Sequence, residues 1–193
     1  MKRTLATLVV ALFVVAGCNR KAKYVDPDGP SRVEGTGIES RDVRAVVAQM
    51  SEDIVQALGS GEGMPPRVAV LPVTNESRFL IDQEIFTTLI TDELVSNAKG
   101  RLAIVNRERI DEIMAERAMK ARGEVTDDGI IKGLAGVDYL LEGEVRSLSA
   151  STNRAQTDYV VIRFQLTDAE SSIVSWSSRY EMKKEGSWGV LYQ

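Results

Sequence analysis

Apolar residues recur along this chain with two different periods. From residue 40 to residue 136 the spacing is three and four. Val43, Val46, Val47, Met50, Ile54 and Leu58 fall on one side of a helix that Ser40 can cap and Gly59-Ser60-Gly61 ends. A second helix, capped by Asp82, carries Ile85, Phe86, Leu89, Ile90 and Leu94 and closes near Lys99-Gly100. Asn106 caps a third, with Ile110, Ile113 and Met114 turned inward and Asp111 and Glu112 solvated. A fourth and shorter helix runs from Thr126 through Ile130, Ile131 and Leu134 to Gly136. Residues 67–73 are nearly all apolar, which predicts a strand covered on both faces and ended by a polar turn at 74–77, while 102–105 predict a short buried strand.

Beyond residue 138 the period becomes two. Residues 139–148, 159–167 and 173–182 alternate, with Val160, Ile162, Phe164 and Leu166 on one side and Val174, Trp176, Tyr180 and Met182 likewise. Asp168-Ala169-Glu170-Ser171-Ser172 predicts a tight hairpin, and 149–156 a longer polar connection that protrudes. Strands separated by helices need crossovers and consecutive strands do not. The order α-β-α-β-α-α-β-β-β therefore predicts an α+β fold with one mixed sheet and helices packed on it.

The N-terminus reads differently. Lys2 and Arg3 precede an uncharged stretch from Leu5 to Ala16, too short to span a bilayer but suited to the core of a secretory signal. The sole cysteine, Cys18, follows Ala16-Gly17, which resembles the lipobox of bacterial lipoproteins. The expectation is a signal at 1–17, lipid on Cys18, a polar Pro- and Gly-containing tether at 18–37 and one domain at 38–193. Fully extended at about 3.3 Å per residue, such a tether reaches roughly 60 Å.

Loss of residues 1–17 removes two positive charges and moves the formal balance from −4 to −6. An acidic chain argues against nucleic acid as a partner. Histidine is absent, and with the only thiol committed to lipid there is no imidazole base, no Cys–His pair and no ordinary zinc ligand set. No catalytic residue, metal or cofactor is expected. Glu142 and Glu144, two apart on a strand, sit about 7 Å apart as glycosidase carboxylates do, but the same spacing fits a solvated strand face with Leu141, Gly143 and Val145 inward. Asp127 and Asp128 fall in a first helical turn, where carboxylates offset the dipole. Gly35-Thr36-Gly37 has no preceding strand and is no phosphate loop. Asn75-Glu76-Ser77 matches a glycosylation sequon, of little meaning beside a bacterial lipidation signal.

Loop residues are better candidates for recognition. Asn75, Glu76, Arg78 and Phe79 follow the first strand and Asn106, Arg107 and Arg109 the second, so the two loops are expected to meet at one edge of the sheet. Arginine and exposed aromatics are enriched in interfaces. Alternatively Phe79 staples a helix start and the arginines pair with Glu108 or Asp111.

Several stretches, in order, carry a resemblance. They are Gly35-Thr36-Gly37-Ile38-Glu39-Ser40-Arg41-Asp42, Asn75 ahead of Ile81-Asp82, Phe86 with Leu94, Val137-Asp138-Tyr139-Leu140-Leu141-Glu142-Gly143, and Gln165-Leu166-Thr167-Asp168 with Trp176. In these the chain resembles the penicillin-binding-protein activator lipoproteins of the LpoB type. The resemblance implies a fold like the N-terminal domain of TolB and the periplasmic domain of the curli secretion lipoprotein CsgG. It also implies an outer-membrane lipoprotein that binds a bifunctional peptidoglycan synthase in the periplasm and raises its activity as a non-catalytic monomer. Asn19 in place of an aspartate after the lipidated cysteine favours the outer membrane. Two features depart from the type: a short tether, and Ser171-Ser172 where a Thr-Gly turn is usual. The alternatives are a CsgG-like structural subunit of a secretion or assembly complex, and a cell-wall hydrolase using Glu142 and Glu144.

Overall fold

Residues with period two build long neighbours, and those with period three to four cover one side of them. The computed structural model describes residues 22–30, 35–59, 63–126, 129 and 133–187. Among these, the elements in chain order are α1 (Ser40–Leu58), β1 (Arg67–Val70), β2 (Thr74–Glu76), α2 (Gln83–Ala98), β3 (Ala103–Ile104), α3 (Ile110–Ala121), β4 (Tyr139–Ser151), β5 (Ala155–Asp168) and β6 (Val174–Ser187). The strand order is β3-β1-β4-β5-β6, with β2 also on β4. β1 lies parallel to β3 and β4, whereas β4, β5 and β6 are antiparallel, so the fold is α+β with a mixed sheet.

Both α1 and α2 lie on one face. Val43, Val46, Val47, Met50 and Ile54 of α1 and Phe86, Ile90 and Leu94 of α2 close a core over Val160, Ile162, Phe164 and Leu166. Full burial of each such side chain is worth about 1.5–3 kcal/mol. One polar residue is enclosed between the helices: Ser51 donates to Ala48 O at 3.1 Å and accepts from Asn97 Nδ2 at 3.0 Å. The apolar stripe of α2 runs through 86, 90, 94 and 98, which leaves Ile85, expected inward, exposed.

The run at 67–73 does not remain one strand. Val70 pairs with Leu141, 71 residues on, but Thr74 pairs with Glu144, 70 residues on. One extra residue is therefore accommodated at Leu71-Pro72-Val73, where proline has no N–H to donate. Leu71 N still reaches Leu141 O at 2.9 Å, and Val73 N turns to Thr87 Oγ1 at 3.1 Å. The expected turn at 74–77 thus begins as β2, a resumption of β1 along β4. Gly143 is required opposite this bulge: a Cβ there would stand 2.7 Å from Phe164 and 2.9 Å from Val73.

Other boundaries also differ from expectation. Ser40 is the first residue of α1 and donates to Pro27 O at 2.7 Å, while the preceding residue, Glu39, is the N-cap and its N–H is taken by Asp42 Oδ2 at 2.9 Å. Asn106 does not cap α3: its Oδ1 accepts from Glu108 and Arg109 N–H in an Asx turn, and the helix starts a turn later at Ile110. Ile113 and Met114, expected inward, are exposed, and α3 has no buried residue. The connection expected at 149–156 is mostly strand, since Ser149↔Asp158, Ala150↔Thr157 and Ser151↔Gln156 continue the ladder to a turn at 152–154. The hairpin at 168–172 forms as expected, with Asp168 Oδ1 accepting from Glu170 N, Ser171 N and Ser171 Oγ. Of the predicted fourth helix, residues 127, 128 and 130–132 lie outside the described residues, and 133–137 are irregular. The signal and Cys18 lie outside them too. No helix among the described residues is long and apolar enough to cross a membrane.

Candidate functional site

The first candidate loop is held by its own side chains. Asn75 Oδ1 accepts from Ser77 N at 3.0 Å and Ser77 Oγ at 2.6 Å, and Asn75 Nδ2 donates to Phe79 O at 2.8 Å. Arg78 is thereby turned back over the sheet. Its N–H reaches Ser147 Oγ at 3.0 Å, and its guanidinium grips both oxygens of Asp158 at 2.7 and 2.5 Å from a position 4.7 Å above the Phe79 ring.

Asp158 is wholly buried. Burial alone would raise its pKa, but hydrogen bonds from Arg78, Ser149, Thr36 and Gln156 together outweigh that and hold the carboxyl well below the usual carboxylate range. Through Thr36 the cluster reaches the N-terminal segment. Phe79 packs its ring against Gly37, and Lys184 of β6 donates to Gly37 O at 2.9 Å and Asp42 Oδ2 at 2.6 Å. Residues 35–37, assigned from the sequence to the tether, are held against the sheet by these groups. Asp28 also forms an ion pair with Arg44 on α1.

The outcome for the first loop is mixed. Asn75, Arg78 and Phe79 serve as a clasp, and Glu76 projects toward solvent, paired at its tip with Arg146 at 2.8 Å. Phe79 is half-buried and packs against the core rather than standing exposed. Asp158 and Lys184 were not singled out from the sequence, yet the signal was present. Both occupy the apolar phase of an alternation, Asp158 with Val160 and Ile162, Lys184 with Tyr180 and Met182, where a charge demands a partner.

The second loop lies elsewhere. Arg107 Nη2 donates to Ala135 O at 2.8 Å, and Arg109 pairs with Glu112 at 3.1 Å. With Asn106 and Arg107 at its rim, a shallow depression of about 330 Å³ opens between the C-terminal ends of β1 and β3 and the Thr87–Thr91–Asp92 face of α2. The two loops do not meet at one edge. β2 carries the first along β4 from Leu141, beside Val70, to Ser147, six residues or about 20 Å farther.

Glu142 and Glu144 lie on the open face of the sheet, with Leu141, Gly143 and Val145 buried between them. Glu144 is held by Arg146 at 3.1 Å and Arg163 at 3.0 Å, so the carboxylate that acid–base chemistry would need free is already engaged by two guanidiniums. Among the described residues, no group of three or more His, Cys, Asp or Glu side chains could hold a metal ion.

A family model described as "Peptidoglycan-synthase activator LpoB" matches residues 42–182. Among solved structures, this chain is similar to the LpoB C-terminal domain from Salmonella enterica, at 13% identity and a TM-score of 0.47, over 73% of this chain and 98% of that one. The corresponding domain from Escherichia coli is 16% identical with a TM-score of 0.45 over the same shares. An NMR structure of E. coli LpoB gives 14% identity and a TM-score of 0.43, covering 89% of this chain and 85% of that one. No curated protein matches the sequence.

Proposed function

This chain belongs to the family of the peptidoglycan-synthase activator LpoB, and on that premise we propose that it is a non-catalytic outer-membrane lipoprotein that binds and activates a bifunctional penicillin-binding protein from the periplasm. The observation that carries this reading is the family match, which runs from the first turn of α1 into β6. Val15-Ala16-Gly17-Cys18 supports a lipid anchor on Cys18 after loss of residues 1–17, with several acyl chains giving stable attachment where one would not. The tether then ends where Thr36 and Gly37 meet the folded domain.

Activation without chemistry requires tighter binding to the synthase's active conformation than to its resting one. For contact, the charged ends of Glu76, Arg107 and Arg109 face solvent, while Asn75, Arg78, Phe79 and Asn106 hold the loops that present them. The test mixes the protein with its own organism's bifunctional synthase and follows glycan polymerisation. The expected outcome is a complex and a faster rate, weakened by Arg107→Glu with Arg109→Glu. No complex and an unchanged rate would retire the reading.

A further inference from the structure

The far edge of the sheet is unusual in length and in charge order. β6 runs for 14 residues, and among the described residues no strand pairs with its outer edge, whereas the opposite edge strand, β3, has two residues. A long open edge presents a row of free N–H and C=O groups that another strand can complete. On the solvent face of β6 stand Arg179, Glu181, Lys183 and Glu185, all exposed, in strictly alternating sign.

The neighbour β5 does not account for this order. Across the ladder, Arg179 lies opposite Arg163, Glu181 opposite Val161, Lys183 opposite Tyr159 and Glu185 opposite Thr157, whose hydroxyl donates to it at 3.5 Å, so β5 offers none of the four an opposite charge directly across. Like charges directly opposed destabilise a sheet. Among the described residues, the ion pairs of these four side chains all run within β6: Arg179 with Glu181, and Lys183 with Glu185 at 3.0 Å.

The order does match one other strand, its own antiparallel copy. When β6 is placed beside a second β6 about a twofold axis at Met182, each residue n faces residue 364 − n. Arg179 then faces Glu185 and Glu181 faces Lys183, and the symmetry repeats both pairs. All four charges of each strand meet an opposite charge. A pattern serving only to keep strands apart would present one sign to every comer, as edge lysines do.

We propose that β6 is a self-association edge, which joins two copies of this chain through an antiparallel β6–β6 ladder centred on Met182 and selected by the Arg179–Glu185 and Glu181–Lys183 pairs. The monomer expected from the sequence is then the dissociated form. This does not depend on which synthase the protein binds, or whether it binds one.

The test is sedimentation equilibrium of the full chain in density-matched detergent, at low and high salt. The wild type is expected to dimerise and to weaken as salt rises. Lys183→Glu turns both central attractions into repulsions and should raise the dissociation constant about tenfold or more. The double swap Glu181→Lys with Lys183→Glu restores every cross-strand pair and should restore the dimer. A wild type that stays monomeric at all concentrations would overturn the proposal. So would a dimer indifferent to Lys183→Glu, or a natively folded double swap that fails to reassociate.

Discussion

The two ends of the sheet are built on different terms. At the β5–β6 end, strands of 14 residues carry an apolar face that is buried on β5 and half-buried on β6, and the charges placed on that face are individually satisfied: Asp158 by Arg78, Ser149 and Gln156, Lys184 by Gly37 and Asp42. At the β3 end a two-residue strand leads to α3, whose residues are all at least partly exposed. Polar side chains at the first end act at long range, joining residues 80 or more apart. Those at the second act mostly within a few residues, as in Asn106 to Glu108 or Arg109 to Glu112, with Arg107 reaching Ala135 O, 28 residues on. Stability is therefore concentrated where sequence-distant groups converge. Local opening free energies are expected to follow the same division, low where apolar contacts are few.

The comparison breaks most sharply if a core deletion at the strand end proves mild. Phe164→Ala should cost about 3–5 kcal/mol in urea unfolding, since its ring is buried and fills the space over Gly143. Arg78→Met should come next, at about 3 kcal/mol, because it strands a buried carboxylate with only neutral donors.

Acid gives a gentler probe of the same cluster. The Asp158 carboxyl has its folded-state pKa depressed, so its contribution is present above the unfolded value of about 4 and is lost as pH falls toward the folded one. Thermal unfolding from neutral pH downward should show falling stability below about pH 4, and Asp158→Asn should flatten that slope. The smallest effect belongs to the other end. Ile113→Gln on α3 should change stability by no more than about 0.5 kcal/mol, and amide exchange should be faster in α3 than in α1. A large loss from Ile113→Gln would erase the distinction between the ends.

What could be read from the chain follows the same line. Both packed helices, the Asp82 cap, the inward face of β5 and the 168–172 hairpin were legible because each depends on residues close together in sequence. The burial of Leu141, Gly143 and Val145, alternating with Glu142 and Glu144 on the open face, was legible for the same reason. β2 was not, since a three-residue strand exists only because β4 offers it a ladder beyond the Pro72 bulge. The polar stretch 149–156 joined the sheet for a similar reason: pairing with the opposite arm outweighs its weak apolar content. At Asn106 the side chain satisfied a turn instead of a helix end, and both uses need the same residue. Arg78 and Phe79 carried interface chemistry in their types, but a buried acid 80 residues away claimed the arginine. Glu76, Arg107 and Arg109 kept their charged ends in solvent, and Cys18 lies outside the described residues.

The clasp on residues 36 and 37 has a mechanical consequence. A pull on the chain ahead of Gly35 first loads the Pro27 and Asp28 contacts with α1. Once these yield, the force passes through Thr36 and Gly37 to Asp158 and Lys184, and so into two adjacent antiparallel strands instead of the first turn of a helix. The load thus enters the sheet through β5 and β6, which are paired along nearly their whole length.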